Sequence, residues 1–363
     1  MKNKGWLLAA CLVLLMSIVA ACGGGAAEPA DDTGASETEA AGGEAAAEEE
    51  APADAAPAKI AVVFATGGLG DKSFNDNGYA GIERAKAELG IEYDYVEPQE
   101  ISEFETHHRE FAKAGEYALI VGIGFDQVDA IGKVAAEFPD QKFLLIDSVV
   151  EAPNVASAIF KAHEGSFLAG ALSAKKSESK KIGFVGGMDI PLINAFLAGY
   201  EAGAKYADPA AEVLVNYVGA WNDPNTGKEM AVSMYDGGAD IVYAAAGGSG
   251  LGVFTAAEEK GKWAVGADMV PSQMPDILFS TTVKRIDNVV FDNVKAVVEG
   301  TWTGGLQDLG LKEEAVGYSV EDSNIETAQE AIDYVEDLKA KIIAGEIVVP
   351  SALDQVEPFL AGQ

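Results

Sequence analysis

Cysteine is almost missing from this chain: Cys11 and Cys22 are the whole complement among 363 residues, and both lie near the N-terminus. That excludes a disulfide framework and a cysteine-ligated zinc site from everything downstream. Histidine is nearly as scarce, with three residues, His107, His108 and His163. His107 and His108 are neighbours on a predicted helix and point different ways, a poor metal pair, and both are expected on a solvated face. Positive charge is short as well: 25 Lys and Arg stand against 58 Asp and Glu, a formal net charge of −33. A chain so acidic repels phosphate backbones, which excludes nucleic acid as a partner. Neither a GxSxG elbow nor an HExxH pair occurs, so no catalytic constellation is present and no enzyme is expected. No cofactor motif replaces it. No apolar run reaches the ~20 residues of a membrane span.

What is present is ordinary globular material, 48% hydrophobic and 23% charged, behind an unusual N-terminus. Lys2 and Lys4 precede the apolar stretch Trp6 to Val19, and Ala20, Ala21 and Cys22 follow. This is the pattern of a secretory signal peptide over residues 1–21. Val19-Ala20-Ala21-Cys22 resembles a bacterial lipobox, which implies cleavage before Cys22 and diacylation of its sulfur. Gly23 to Ala58 is rich in Ala, Gly and Glu, with no basic residue. It lacks the large apolar side chains that offset ordering entropy, so residues 22–58 read as a lipidated cysteine followed by an acidic, extended tether. Ten of the 58 acidic residues therefore lie outside the folded body, with no basic residue among them.

From Lys59 strands and helices alternate. KIAVVFA, EYDYVEP, YALIVGIG, KFLLIDS and NVASAIF read as strands, with helices predicted over Phe74–Leu89, Glu103–Ala114 and Gln127–Phe138. After a helix over His163–Lys175 the pattern restarts with KIGFVGG, AEVLVNYV, DIVYAAAGG, KWAVGAD and ILFSTTVK, separated by helices at Pro191–Tyr206, Thr226–Asp236 and Gly250–Lys260. Two further helices, Ile286–Glu299 and Ile325–Ala344, come after the second sheet is complete and are expected to cross back. The fold class is α/β, two doubly wound parallel-sheet lobes with a ligand cleft between them. Residues 59–160 and about 286–310 would form lobe 1, and residues 161–285 and about 311–363 lobe 2.

Ligands of open α/β sheets bind beyond the carboxyl ends of the strands, so the informative segments are GGLGDKSFN, GIGFDQ, DSVV, GGMDIP, AWNDPN, AAAGGSG, GADMV and VKR. Gly67 to Asn75 forms a tight strand-to-helix turn whose helix-start amides favour an oxygen-rich group. It is not a phosphate loop, because Asp71 rather than Gly precedes Lys72-Ser73. Phe74, flanked by Ser73 and Asn75, is either a core side chain or a platform for a flat ligand. Gly247 and Gly248 make a second such turn. Asp147 and Asp268 end strands, where a carboxylate suits the paired hydroxyls of a ribose or else caps a loop. Lys284 follows the last strand as a ligand donor or a surface lysine. Asp126 reads as the N-cap of the next helix rather than as a ligand residue.

GGLGDKSFN, EGSFLAGALSA, KIGFVGGMDIP, AAAGGSGLGVFTAAEEKGKWAVGAD and TTVKRIDN occur in the order seen in the basic membrane protein family of bacterial lipoproteins, which this chain resembles from Lys59 to about Glu299. These are nucleoside-binding components of ABC transporters, similar to purine nucleoside receptor A proteins. The resemblance implies a type I periplasmic-binding-protein fold, a monomer on the outer face of the cell membrane, no enzymatic activity, a small nucleoside ligand and a permease partner. It also implies that Phe74 stacks on the base, that Asp147, Asp268 and Lys284 hold the ribose, that Gly247-Gly248 lines the cleft, and that Tyr243 or Phe196 supplies the second aromatic. One departure stands out. Many members carry Asp-Thr-Gly-Gly after the first strand, where this chain reads Ala65-Thr66-Gly67-Gly68. An acceptor for a base N–H is lost, which leaves a free base, riboflavin or another aromatic solute open as the ligand. A sensor that signals to a membrane kinase is the alternative role, and an extracellular enzyme on the same scaffold is weaker, since fold does not fix function.

Because Cys22 is the only cysteine left after cleavage, Cys22→Ser should release the protein from membranes. Fractionation of cells expressing the variant checks this, and a protein still in the membrane pellet would place the anchor elsewhere.

Overall fold

The computed structural model describes residues 57–268 and 273–362. The predicted signal peptide, Cys22 and most of the tether lie outside the described residues. The first sheet begins with β1 (Lys59–Val63), α1 (Phe74–Leu89), β2 (Glu92–Val96), α2 (Phe104–Ala114), β3 (Leu119–Ile123), α3 (Val128–Glu137), β4 (Phe143–Ile146) and β5 (Val155–Phe160). After α4 (Ala162–Lys176) the second sheet follows: β6 (Lys181–Gly186), α5 (Pro191–Ala207), β7 (Glu212–Tyr217), α6 (Pro224–Asp236), β8 (Ile241–Ala245), α7 (Gly250–Lys260), β9 (Trp263–Ala267) and β10 (Leu278–Lys284). The chain ends with α8 (Ile286–Val298), β11 (Gly305–Leu309), β12 (Val316–Ser319), α9 (Gln329–Ile343) and α10 (Val356–Ala361).

Strand order is β11-β5-β4-β3-β1-β2 in one sheet and β12-β10-β9-β8-β6-β7 in the other. The first sheet is parallel throughout. The second is parallel except that β12 runs antiparallel to β10. The two orders match position by position, so β4 corresponds to β9 and β3 to β8. The second sheet was not complete at β10, as the sequence suggested, because β12 joins its edge. Neither β11 nor β12 was read from the sequence. Each is short, and Gly305, Leu306 and Asp308 of β11 are exposed, so neither carries an apolar signal.

Parallel strands covered on both faces must be apolar on both faces. Ile60 and Val62 of β1 pack with Ile82 and Ala85 of α1 and Val290 and Val294 of α8. Ala61, pointing the other way, packs with Ala112 of α2 and Ile131 and Val134 of α3. Each such large aliphatic side chain, fully buried, contributes roughly 1.5–3 kcal/mol. In the second lobe α4 and α5 touch through their backbones. A Cβ on Gly203 would stand 1.9 Å from the Phe167 carbonyl oxygen, and one on Gly199 2.1 Å from that of His163. The chain passes between the sheets after β5, after β10 and between β11 and β12.

His108 corrects an expectation. It was assigned to a solvated face, but Phe104, His108 and Ala112 share the inner stripe of α2 at four-residue spacing, and His108 is fully buried. Only His107 is partly exposed. His108 Nε2 donates to Gln127 Oε1 at 2.7 Å, because the amide of Gln127 already donates to the Val63 and Ile123 carbonyls at 3.0 and 2.9 Å. The pair braces the ends of β1 and β3, just below the loops that follow them.

Burial pushes the His108 imidazole down to about 4. The unfolded chain, with histidine near 6.5, takes up the proton first, so the stability this group contributes is present above about pH 6.5 and is lost as pH falls towards 4. Urea titrations should therefore show wild type losing about 2 kcal/mol more than His108→Gln between pH 7 and pH 4.5. Equal losses would mean that His108 does not titrate as a buried neutral group.

Candidate functional site

The carboxyl ends of the central strands of both sheets face a common cleft. It holds about 680 Å³ of space free of protein atoms, part of it open to solvent. Asp147 directly follows β4, and Asp268 directly follows β9, its counterpart in the other sheet. Both residues adopt left-handed backbone, φ 70° and 61° respectively. That conformation is uncommon for a residue with a Cβ and persists only where the surroundings impose it. Part of the imposition is visible at Asp268. Asn77 of α1 donates to its carbonyl at 2.5 Å and to that of Lys284 at 3.0 Å, while Asn77 Oδ1 accepts from the Asp287 amide at 2.9 Å.

Lys284, at the end of β10, reaches across to Asp147, with Nζ 2.5 Å from Oδ2 and each side chain only 3% exposed. Its ammonium also stands 5.0 Å from the ring centres of Phe74 and Phe160 and 5.8 Å from that of Phe196. A desolvated cation held so is stabilised by the carboxylate and by the negative faces of the rings. Lys284 is thus a buried group of the cleft rather than a surface lysine.

Three carboxylate oxygens at the cleft have no hydrogen-bond partner: Asp126 Oδ1, Asp147 Oδ1 and Asp268 Oδ1. A buried acceptor left unmade costs about 1–3 kcal/mol, more when charged. Burial raises the Asp268 carboxyl to about 6; Lys284 opposes the shift, and Asp147 and Asp71 add to it. Burial likewise raises Asp126 to about 6.

The loop after β1 behaves differently from the sequence expectation. Three amides at the start of α1 are taken by Asp71 rather than left for a ligand. Its carboxylate accepts from the Ser73, Asn75 and Asp76 amides at 2.9, 2.9 and 3.2 Å, and from Asn75 Nδ2 at 3.1 Å. Burial raises its pKa while these donors lower it. Ser73 and Asn75 line the cleft, but their polar groups are engaged internally. Ser73 Oγ donates to the Ala267 carbonyl at 3.1 Å, and Asn75 Oδ1 accepts from the Ala65 amide at 3.0 Å. Phe74 of this turn lines the cavity beside the Lys284 ammonium.

On the opposite side Trp221 lies over Gly187, where a Cβ would stand 2.3 Å from its ring. Across the cleft its ring meets Phe125, centroids 6.4 Å apart. Gly247 and Gly248 complete this wall, Gly247 at φ 53°. Of the two proposed second aromatics, Phe196 lines the cleft and Tyr243 does not. Tyr243 is fully buried mid-strand, against Phe184 and Tyr200, with its hydroxyl bonded to Thr282 Oγ1 at 2.8 Å. Its position in β8 points it under α4 and α5 rather than towards the strand end. Asp126 is also corrected. The cap positions at the turn after β3 are held by Gly124 and Gln127, and Asp126 lines the cleft. Trp221, Phe125 and Phe160 were not singled out from the sequence, although Trp221 and Phe125 lie in post-strand segments that were.

Comparison with known proteins agrees with this geometry. The family model described as "ABC transporter substrate-binding protein PnrA-like" matches residues 58–352. An uncharacterized lipoprotein of Pyrococcus abyssi is 36% identical over 281 residues, 73% of this chain and 70% of its own length. The ABC transporter nucleoside-binding protein BmpA of Lactococcus lactis is 32% identical over 317 residues, 81% of this chain and 89% of its own. Among solved structures, a solute-binding protein of an ABC transporter system from Aeropyrum pernix superimposes with a TM-score of 0.77 at 32% identity, covering 84% of this chain and 98% of that one. With two lobes of type I binding-protein architecture around a cleft lined by unpartnered carboxylate oxygens, the chain belongs to the PnrA-like family of ABC transporter substrate-binding proteins.

Proposed function

We propose that this protein captures a nucleoside between its lobes and delivers it to an ABC permease while a lipid on Cys22 holds it at the outer face of the membrane. The observation that carries the ligand class is the pair of unpartnered oxygens on Asp147 and Asp268 flanking buried Lys284. Two acceptors and a cation, set beside the rings of Phe74 and Phe196, suit the vicinal hydroxyls of a ribose attached to a flat base. Phosphorylated nucleotides suit the cleft poorly, since Asp71 fills the helix-start amides that would otherwise bind phosphate. The Lactococcus relative is itself named a nucleoside-binding protein, and several relatives are named lipoproteins. No described helix is long and apolar enough to cross a membrane, which fits attachment through lipid.

The ring and the ribose grip should separate by ligand in calorimetry with inosine, guanosine, adenosine and the matching free bases. Phe74→Ala should weaken nucleosides and bases alike, by about 5- to 150-fold. Asp268→Ala should weaken nucleosides by roughly 10- to 150-fold and spare the bases, which have no hydroxyls to pair. Wild type that binds no nucleoside at millimolar concentration would remove the ligand assignment. A silent Asp268→Ala would leave the ligand and remove the ribose role.

A further inference from the structure

We propose that Asp126 reads the base: its free oxygen accepts the ring N–H of a nucleobase, and so selects 6-oxopurine nucleosides over those whose corresponding ring nitrogen bears a lone pair. This rests on the nucleoside reading above and adds a specificity determinant to it.

The position of the residue carries the argument. Asp126 sits on the tight turn after β3, where Gly124 adopts φ 135°, open in practice only to glycine. A Cβ on Gly124 would lie 2.9 Å from Asp126 Oδ1 and 3.1 Å from the Ala65 Cβ. The free oxygen and the Ala65 methyl therefore flank the same point. Ala65 carries no polar side chain, so Asp126 is the acceptor that serves this corner of the cleft. Its oxygen is buried without a partner.

Asp126 also stands apart from the Lys284 group. Asp268 feels the charges of Lys284, Asp147 and Asp71, whereas at Asp126 burial is opposed only by the residue's own backbone amide. The cleft thus has two separate polar regions: the lysine and its carboxylates, and Asp126. Phe125, next in the chain to Asp126, meets Trp221 across the cleft. A nucleoside gripped by its ribose at the first region would bring the edge of its base to the second. There a carboxylate attracts an N–H and repels a nitrogen lone pair. Nothing in the scaffold uses this oxygen, so its desolvation serves only a ligand.

Inosine and 1-methylinosine differ at the proton in question, and Asp126→Asn keeps the size of the side chain while removing its charge. Calorimetry should show wild type binding inosine roughly 10- to 150-fold more tightly than 1-methylinosine. Asp126→Asn should weaken inosine by about tenfold or more and leave 1-methylinosine within about threefold. The thermal midpoint of the ligand-free variant at pH 7.5 should equal or exceed that of wild type, since a penalised charge is gone. Equal weakening of both nucleosides, or a lowered midpoint, would make Asp126 a scaffold residue and overturn the inference. So would wild type that does not distinguish the two ligands. Wild type that binds neither inosine nor guanosine would instead overturn the nucleoside reading itself, and that result appears before any variant is made.

Discussion

The ion pair between Lys284 and Asp147 is the constraint around which the cleft is organised. An ammonium taken out of water without a counter-charge is costly by several kcal/mol, and breaking such a pair typically costs about 3–5 kcal/mol. Here the two partners come from different lobes, Asp147 from the end of β4 and Lys284 from the end of β10. Satisfying the lysine therefore ties the lobes together at the point where the chain crosses from one to the other. The rings of Phe74, Phe160 and Phe196 complete its surroundings and form part of the same apolar wall. One buried charge thus joins both lobes, three aromatic rings and the polar end of the cavity.

The remaining carboxylates are divided by whether the protein satisfies them. Asp71 is buried and fully occupied by the amides and side chain of its own turn, so it closes the start of α1 to anions. Asp126, Asp147 and Asp268 each keep an oxygen in reserve. The left-handed backbone at Asp147 and Asp268 belongs to the same economy of design. Strain that folding imposes in advance need not be met when the ligand binds, which is the physical content of preorganisation.

The alternation of apolar strands and amphipathic helices was legible in the sequence, because buried parallel strands and two-faced helices leave different periodicities. So was the restart after the first sheet. The rule that ligands lie beyond strand carboxyl ends led to segments that contribute residues to the cleft, among them Phe74, Asp126, Asp147, Trp221, Gly247, Asp268 and Lys284. What failed was ranking within and between those segments. Tyr243 lies mid-strand in β8 and Phe196 in the second turn of α5, and only strand register and helix placement send one to the core and the other to the cleft. His108 looks like any helix-surface polar residue until Gln127, 19 positions on, provides its partner.

Composition and local pattern by themselves determined the α/β class and the post-strand segments that contribute residues to the cleft. These follow from periodicity, charge and residue inventory, which are local properties. Tertiary structure alone decided which side chains converge. It placed Lys284 137 residues from its counter-ion, laid Trp221 on Gly187, engaged Asp71 within its own turn, and left Asp126 unpaired beside Ala65. Those outcomes depend on distances between segments remote in the chain, and on which polar groups find partners when water is excluded. No local pattern in the sequence encodes either.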